Sequence, residues 1–579
     1  MSDTTYECDV LVVGSGAAGI SAALKAKQQG LDVLVVDKEP YLGGTTAVSG
    51  GWLWVPGNKQ GVAEGDTREE AETYIRALAG DSYDPDAVGA FLDLVPEALD
   101  FFENDAGVEF HYPEMAPDYQ MDTPGARRSG RALTVRKADG RTLKKDRRRV
   151  QPYLHTYTVF GYMPEIGPDI ATFIKANRSA KAFLYVTRRL VRTWSERILF
   201  RRAFTRTNGN ALMTRMLAGA GDMGIPMWTG TKVTEVLRDE RGAIGGAVIT
   251  GAHSGTVRAR YGVVLAAGGF SGNAALRTRA FAHDPRGDDH FTPTIGHQGD
   301  SYFLAEPHGG VLDTRPHQPA SWGPVTVWKN LRGQERIFPH LRAFGLPGLI
   351  AVNREGERFA NESYSYHDFG VEMIKENAGR RDTFGWIVAD RKAMRTYGIG
   401  YAKPWPLPAW YYRKVGYLIQ GSSVADLASR IDVPAEALRR TLEEFNADAA
   451  LGRDTRFKRG SNWFHHFKGD MEHKPNPNLA PIDKAPYYAV RIQMGDLGTY
   501  AGLSVNGRGE VLAASGRGVP GLYAVGTAAV SVFGGGYPGY GANIGPAMVF
   551  GYRVGRDIAA HAAERSGGLR KAAARDGDG

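Results

Sequence analysis

A glycine fingerprint close to the N-terminus constrains the fold of this chain more than any other feature. Three glycines follow an apolar run in the spacing GxGxxG, and a second apolar run soon afterwards ends on Asp37. The three are Gly14, Gly16 and Gly19. In a strand–turn–helix unit they permit, in order, a tight turn, close approach of backbone to a pyrophosphate, and packing of helix on strand, while the acid binds a ribose hydroxyl. The pattern predicts a βαβ dinucleotide-binding unit over residues 8–38 rather than a plain glycine-rich loop.

Two further glycine-rich segments point to a flavin rather than a nicotinamide. Residues 43–51 read GGTTAVSGG, and residues 521–526 read GLYAVG. An isoalloxazine ring extends beyond the dinucleotide crevice, so additional backbone has to reach it, and a nicotinamide does not usually need this. We therefore expect FAD as the cofactor. Because the region around Thr45 and Thr46 holds no histidine or cysteine, we expect the FAD to be bound non-covalently.

The composition excludes several classes of site. Cys8 is the only cysteine, which excludes an internal disulfide and a cysteine metal cluster. None of the 14 histidines stands in a ligand spacing such as HExxH, so we expect no metal. The N-terminus lacks a basic leader, and no apolar run approaches the length of a membrane span. These features predict a cytoplasmic protein.

The net charge of +8 is concentrated in clusters, and we expect no nucleic-acid partner. Residues 178–206 interleave arginines with large apolar residues. This is typical of a basic amphipathic helix that rests on an anionic membrane, which would place the protein peripherally on the inner face of the cell membrane. The alternative is a solvated helix face on a lid or at a subunit contact. The sequence leaves both open.

Two tyrosine-containing segments carry a family resemblance. Residues 358–366 read RFANESYSY, and residues 534–541 read GGGYPGYG ahead of a helix that Pro546 can open. Together with the fingerprint, they make the chain similar to the fumarate reductase/succinate dehydrogenase flavoproteins, and within them to the 3-ketosteroid Δ1-dehydrogenases. The similarity spans residues 9–560 and is weak between 133 and 205.

The resemblance implies an α/β fold with an α+β cap. A Rossmann-like FAD-binding domain would be discontinuous, formed by residues 1–324 and 496–579. A catalytic capping domain, residues 325–495, would be inserted between these two parts and cover the flavin.

The resemblance also implies a reaction and its residues. The expected reaction is FAD-dependent dehydrogenation of the C1–C2 bond of a 3-ketosteroid in steroid breakdown, with a proton lost from C2 and a hydride from C1 to flavin N5. Tyr537 and the Gly541 N–H would bind the ketone, and Tyr366 would be the proton acceptor. Tyr119 would hydrogen-bond to Tyr366 and ease its ionisation, while Tyr364 is the rival for the base. Tyr540 stands where the family often has proline.

The cofactor-binding residues expected from the fingerprint and the resemblance form one set. They are Gly14, Gly16, Ala17, Ala18, Gly19, Asp37, Lys38, Gly43, Gly44, Thr45, Thr46, Ser49, Gly50, Gly51, Val233, Ala267, Gly268, Gly526, Asn543 and Ile544.

Three alternative functions stay open. A 3-ketosteroid Δ4-(5α)-dehydrogenase would share the tyrosine-rich site. A fumarate-reductase-like enzyme acting on another enone or carboxylate would need cationic residues to bind the carboxylates, whereas the motifs here offer tyrosines, glycines and apolar residues. The third is a flavin-containing binding or electron-transfer protein. The sequence leaves open the steroid, the oligomeric state and the electron acceptor, whether a quinone or another carrier.

Overall fold

The computed structural model describes residues 4–166, 168–177 and 179–576. The ends of the predicted flavin domain, 1–3 and 577–579, lie outside the described residues, as does residue 178 at the start of the basic segment. The helices are α1 Ala17–Gln28, α2 Gly44–Val48, α3 Lys59–Ala63, α4 Arg68–Ala79, α5 Pro85–Asn104, α6 Pro168–Ile174, α7 Ala180–Phe200, α8 Asn208–Asp222, α9 Ala274–Ala280, α10 Asp300–Ala305, α11 Tyr366–Glu376, α12 Arg391–Thr396, α13 Trp410–Lys414, α14 Val424–Ile431, α15 Ala435–Leu451, α16 Trp463–Lys468 and α17 Ile544–Asp576.

The strands are short on average and fall into two larger sheets and several small ones. They are β1 Thr5–Val13, β2 Val33–Val36, β3 Leu53–Trp54, β4 Phe110–His111, β5 Ala132–Val135, β6 Ala138–Asp139, β7 Thr205–Arg206, β8 Met227–Trp228, β9 Thr231–Arg238, β10 Ile244–Gly251, β11 Gly255–Leu265, β12 Leu312–Asp313, β13 Ala320–Trp322, β14 Val325–Lys329, β15 Glu335–Pro339, β16 Leu349–Val352, β17 Phe384–Ala389, β18 Ile419–Gly421, β19 Tyr487–Gln493, β20 Asp496–Thr499, β21 Gly502–Leu503, β22 Glu510–Leu512 and β23 Gly518–Ala524.

The larger sheet contains the predicted βαβ unit, which is confirmed. Its strand order is β22-β23-β11-β1-β2-β8, with β10 paired to β11 and β9 paired to β10, and β1 pairs in parallel with both β2 and β11. Helices cover this parallel core, so β2 and the second half of β1, residues 10–13, are buried and read as apolar runs. The chain re-enters this sheet late, because β23 pairs in parallel with β11.

A close helix–helix contact covers one face of this sheet. Helix α17 packs along α1, with Gly551 and Gly555 facing α1. A Cβ at Gly551 would lie 2.4 Å from the Ala18 carbonyl oxygen, and one at Gly555 would lie 2.5 Å from that of Ala22. Small residues at these two positions therefore fix how closely the C-terminal helix approaches the fingerprint helix.

The second sheet has six strands in the order β15-β14-β19-β17-β16, with β18 attached to β19. It begins at Val325 and ends at Gln493, close to the expected bounds of the inserted segment. The two-stranded pair β13–β20 connects it to the rest of the chain on both sides. The division of the chain into two domains at residues 325 and 495 stays a prediction.

The basic segment forms an exposed helix. Ser179 caps α7 by accepting a hydrogen bond from the Ala182 N–H. Large apolar side chains of this helix are more than half exposed. They are Phe183, Leu184, Val191, Trp194, Ile198 and Leu199. Over the described ranges, no helix combines the length and apolar character needed to cross a membrane.

Candidate active site

One large cavity runs between the two sheets. Its volume is about 1620 Å³, whereas a single drug-sized ligand typically occupies a pocket of about 300–1,000 Å³. Fingerprint residues line one end, and Tyr366 and Tyr537 line the other. The cavity therefore has room for a dinucleotide together with a second small molecule.

The three fingerprint glycines differ in what surrounds them. Gly14 has φ +112°, and a Cβ there would lie 2.3 Å from the Ala266 carbonyl oxygen. A Cβ at Gly19 would lie 2.1 Å from the Gly14 carbonyl oxygen. At Gly16 the nearest atom would be the Thr46 hydroxyl, 3.8 Å away. Gly14 and Gly19 thus close the strand–helix turn, and Gly16 leaves the backbone open to a pyrophosphate.

Asp37 lies at the end of β2, facing the fingerprint turn. Its carboxylate accepts hydrogen bonds from the Ser15 N–H at 2.9 Å and the Ser15 hydroxyl at 2.5 Å, and from the Glu39 N–H at 2.9 Å. Burial raises its pKa despite these bonds. Because Asp37 also lines the cavity, it is placed to accept a hydrogen bond from a ribose hydroxyl.

All the expected cofactor-binding residues line the cavity except two. Gly19 packs in the turn beneath Gly14, and Gly43 donates its N–H to the Ser15 hydroxyl at 2.9 Å. His297 lines the same end and was missed, because no motif surrounds it. Its Nε2 lies 3.2 Å from the Thr45 hydroxyl, and its buried Nδ1 has no partner among the described residues.

Three tyrosine hydroxyls form a connected chain at the other end. Those of Tyr119 and Tyr366 lie 2.9 Å apart, and those of Tyr366 and Tyr537 lie 2.8 Å apart. Tyr366 opens α11, which Ser365 caps by accepting the Asp368 N–H. Tyr366 and Tyr537 line the cavity, whereas Tyr119 is buried behind them. Residues far apart in sequence thus meet in one hydrogen-bonded group.

The rival Tyr364 is not brought into this group. Its side chain is 38% exposed and lies outside the cavity lining. Its backbone carbonyl accepts a hydrogen bond from the Lys468 ammonium. The structure therefore gives Tyr364 no contact with the hydroxyl chain.

Gly541 follows Tyr537 in a tight turn against Trp52. Its φ is +93°, and a Cβ would lie 2.3 Å from the Trp52 carbonyl carbon. Its own carbonyl accepts hydrogen bonds from Trp54 and Ile544. Its N–H has no acceptor within the part of the chain that the structure describes, and Gly541 lines the cavity beside Tyr537. The turn thus presents a phenol and a bare amide to the same space.

Burial controls the acidity of these phenols. It raises the pKa of Tyr366 well above the usual value, and the hydrogen bond from Tyr119 only partly lowers it. Burial likewise raises the pKa of Tyr537 to about 12 and that of Tyr119 well above its usual value. The expected easing of Tyr366 ionisation by Tyr119 therefore has the predicted direction, but desolvation outweighs it.

Arg342 and Lys468 line the cavity and come from outside every motif, as do Arg136, Lys137, Lys232 and Lys403. Arg342 lies in the loop after β15, and Lys468 is the last residue of α16. Sequence reasoning missed both, because each is a single basic residue in a segment without a recognisable pattern. The expectation that the site offers no cation for a carboxylate is therefore wrong, because these cations lie outside the motifs.

The comparisons with known proteins agree on the fold. A model of the "FAD binding domain" family matches residues 9–544. The crystal structure of 3-ketosteroid delta1-dehydrogenase from Sterolibacterium denitrificans superposes with a TM-score of 0.86 at 31% identity, covering 96% of this chain and 100% of that one. The predicted fold class, the FAD-binding flavoprotein fold, is confirmed.

The similar proteins include enzymes named for two kinds of substrate. A 4-oxocyclohex-2-ene-1-carboxylate 5-dehydrogenase from Sinomonas cyclohexanicum is 58% identical over 97% of this chain and 96% of its own length. A 3-oxosteroid 1-dehydrogenase from Mycobacterium tuberculosis is 32% identical over 97% of this chain and 100% of its own.

This difference overturns the steroid assignment. The identification as a 3-ketosteroid Δ1-dehydrogenase, and with it the role in steroid breakdown, is wrong. The physical reason is that a phenol and a bare backbone amide, which these tyrosine and glycine motifs supply, can hydrogen-bond to the oxygen of any ketone. They carry no information on the size of the ring system attached to that ketone.

Proposed function

Since this chain belongs to the FAD-binding-domain family of the fumarate reductase/succinate dehydrogenase flavoproteins, we propose that it dehydrogenates a small cyclic keto acid of the 4-oxocyclohexene carboxylate class. The observation that carries this proposal is the Tyr366–Tyr537 hydroxyl pair beside the free Gly541 N–H, in the same cavity as the dinucleotide cradle. The relative with 58% identity supports the substrate class.

FAD is the cofactor, and the chain is an oxidoreductase acting on CH–CH groups with a small-molecule substrate and an electron acceptor. The residues fit the group: Gly16 leaves space where a side chain would block a pyrophosphate, and Asp37 faces the expected ribose. When bound, the flavin supplies the hydride acceptor. We propose that binding is non-covalent.

The ketone of the substrate lies between two donors in this proposal. The Tyr537 hydroxyl and the Gly541 N–H would hydrogen-bond to its oxygen and stabilise the negative charge that develops when a neighbouring proton leaves. A preorganised donor of this kind contributes about 3–4 kcal/mol to lowering a barrier in other enzymes. Both donors are fixed by the turn before α17, so no reorganisation is needed.

Tyr366 is the proposed proton acceptor. It lies within hydrogen-bonding distance of Tyr537, and therefore near the carbon next to the bound ketone. The Tyr119 hydroxyl donates a hydrogen bond to Tyr366 at 2.9 Å and would stabilise its ionised form. The ionised phenol would then take the proton from the substrate carbon and become a neutral hydroxyl.

The products follow from the balance of atoms. Loss of one proton and one hydride from the saturated C–C bond beside the ketone of 4-oxocyclohex-2-ene-1-carboxylate leaves a cross-conjugated dienone. A proton shift then gives the aromatic 4-hydroxybenzoate. Aromatisation makes this direction strongly favourable and gives the product its own ultraviolet absorbance.

An anaerobic titration of the yellow protein tests the proposal. We expect 4-oxocyclohex-2-ene-1-carboxylate to bleach the flavin with formation of one equivalent of 4-hydroxybenzoate. If only the saturated 4-oxocyclohexanecarboxylate bleaches the flavin, the reaction is instead the desaturation of that compound. An unchanged spectrum with both would contradict the proposed function and favour a carrier flavoprotein.

The pH dependence follows from the burial of Tyr366. The groups that act on this phenol are Tyr119, Tyr537 and Tyr540, and burial holds its pKa well above the usual value of about 10. The ionised base is then a small fraction at pH 7 that grows about tenfold per pH unit. We expect the rate of flavin reduction to rise from pH 7 to pH 9 in stopped-flow measurements. A flat or falling profile at constant FAD content would contradict Tyr366 as a simple base.

We also propose that α7 contacts an anionic lipid surface. Its exposed apolar side chains alternate with arginines that include Arg188, Arg192 and Arg197, so the helix offers both apolar area and complementary charge. We expect the protein to float with vesicles containing anionic lipid at low salt and to be released at high salt. If the protein is absent from the vesicle fraction, the helix faces solvent instead. If the protein forms dimers that dissociate when the charges of α7 are reversed, the helix contacts a second copy of the chain.

A further inference from the structure

Arg342 and Lys468 face the cavity without a carboxylate partner among the described residues. Within the described part of the chain, the only hydrogen bond of the Arg342 guanidinium joins Nη2 to the Gly469 carbonyl at 3.5 Å, and its buried Nε has no acceptor. Lys468 donates to the Tyr364 carbonyl and lies 5.8 Å from the centre of the Phe464 ring. Both positive charges are therefore without a counter-ion.

The acids nearest to these cations are engaged elsewhere. Asp470 acts electrostatically on Arg342 but accepts the Tyr397 hydroxyl at 2.8 Å. Asp368 acts on Lys468 but accepts the Gln120 amide at 3.0 Å and the Ser365 hydroxyl at 2.7 Å. Neither carboxylate forms an ion pair with the cation beside it.

Most other cations in the cavity wall have interaction partners. Lys38 pairs with Asp300 at 2.5 Å, and Lys137 pairs with Asp169 at 3.1 Å. Lys403 shares the lack of a carboxylate, donating to the Gly400 carbonyl at 2.9 Å, but its ammonium lies over the ring of Phe338. Arg136 also lines the cavity without an ion pair among the described residues, but it is exposed. The less exposed lining cations that lack a carboxylate partner, Arg342, Lys403 and Lys468, all come from the cap segment.

Holding these charges without a counter-ion is unfavourable. Burial lowers the pKa of Arg342 and lowers that of Lys468 to about 7, and the charge of Arg342 lowers the latter further. A charge removed from water destabilises the protein unless it is paired. An anion that enters the cavity relieves this cost, so the wall selects for negatively charged ligands.

Tyr540 connects the cationic wall to the ketone donors. The charge of Arg342 acts on the Tyr540 phenol. Tyr540 stands directly before Gly541, and its ring packs 4.8 Å from that of Tyr119. Arg342 therefore approaches the ketone-binding turn from the side that Tyr540 covers. A ring with a ketone at one end and a carboxylate at the other would meet both groups in one cavity.

We propose that Arg342 binds the carboxylate of the substrate, with Lys468 as a second positive charge. This inference rests on the proposed function and names the group that selects the substrate. A planar guanidinium can bind a carboxylate through two parallel hydrogen bonds, which fixes the orientation of the ring as well as its charge. The subsite explains how a site built from ketone-binding tyrosines discriminates a small keto acid from a neutral cyclic ketone.

The first experiment uses the unmodified protein with FAD bound. Stopped-flow flavin reduction is compared for 4-oxocyclohex-2-ene-1-carboxylate and its methyl ester, which keeps the ketone and removes the charge. We expect kcat/KM for the acid to exceed that for the ester by at least about 30-fold. Equal values with both substrates would overturn the carboxylate subsite and leave the proposed function standing. Reduction by neither would instead contradict the proposed function.

Variants then assign the selectivity to Arg342. In Arg342→Gln we expect the acid-to-ester ratio to fall by at least about 30-fold, and in Arg342→Lys by less, since the charge remains. Arg332→Gln, an exposed arginine of the same cap segment, is the matched control with an unchanged ratio. The acid-to-ester ratio does not depend on the fraction of the variant that folds and binds FAD, because both substrates are measured with the same protein. A ratio maintained in Arg342→Gln would overturn the proposal.

Discussion

Replacing Tyr366 with phenylalanine is expected to lower the rate of flavin reduction by about 10²–10⁴-fold, the usual contribution of a positioned acid or base. The phenyl ring keeps the aromatic contacts with Tyr119 and Tyr537 but removes the hydroxyl that joins theirs. Single-turnover reduction by the keto acid measures the effect. FAD content, read from the visible spectrum, should stay the same, because the Tyr366 hydroxyl bonds to Tyr119 and Tyr537 and not to a fingerprint residue.

Tyr364→Phe is the matched control for this substitution. It removes a phenol two positions away, yet its carbonyl still accepts the Lys468 hydrogen bond. We expect the rate of flavin reduction to stay close to that of the unmodified protein, since the Tyr364 side chain is partly exposed and lies outside the cavity lining. A collapse of the rate in Tyr364→Phe, with Tyr366→Phe active, would exchange the two roles.

Gly541→Ala is expected to lower kcat/KM by about 10²–10³-fold, the effect of losing one donor to a developing oxyanion. The new Cβ would lie 2.3 Å from the Trp52 carbonyl carbon and oxygen, so the turn has to move. A backbone φ of +93° adds strain for a residue with a side chain. The displaced N–H can then no longer meet the ketone oxygen beside Tyr537. Steady-state kinetics and thermal unfolding measure the two effects.

Gly379→Ala is the control that introduces backbone strain without a steric clash. Its φ is +75°, and no atom lies within 4 Å of an added Cβ. We expect about 1–2 kcal/mol of destabilisation and no change in kcat/KM. Activity retained in Gly541→Ala would mean that the ketone is not bound by this amide.

The dinucleotide half of the molecule is readable from sequence because its constraints are local. Gly14, Gly16 and Asp37 stand at fixed spacing along one strand–turn–helix–strand unit, and each spacing has one physical reason. Strand β11 runs through Gly262 without interruption. Gly262 has φ +131°, and a Cβ there would lie 2.5 Å from the Gly521 carbonyl oxygen, so this position needs a glycine.

The substrate half is only partly readable. Tyr366 and Tyr537 belong to motifs, so their role could be inferred, and the structure brings their hydroxyls together. Arg342 lies in a loop and Lys468 at the end of a short helix, both in segments without a recognisable pattern, and they come together only in the folded cavity. Whether a cation lacks a counter-ion depends on its surroundings in the folded protein, so the spacing of residues in the sequence cannot predict it. The substrate class was wrong for this reason.

The late return of the chain to the larger sheet has a consequence for biosynthesis. β23 completes the sheet beside β11, and Tyr537 and Gly541 follow it in sequence. On the ribosome, all six strands of the second sheet emerge before β23 does. The nascent chain can therefore form that sheet while its FAD-binding sheet still lacks β23. Because Tyr537 and Gly541 line the cavity, the cavity wall cannot be complete until residue 541 has left the exit tunnel.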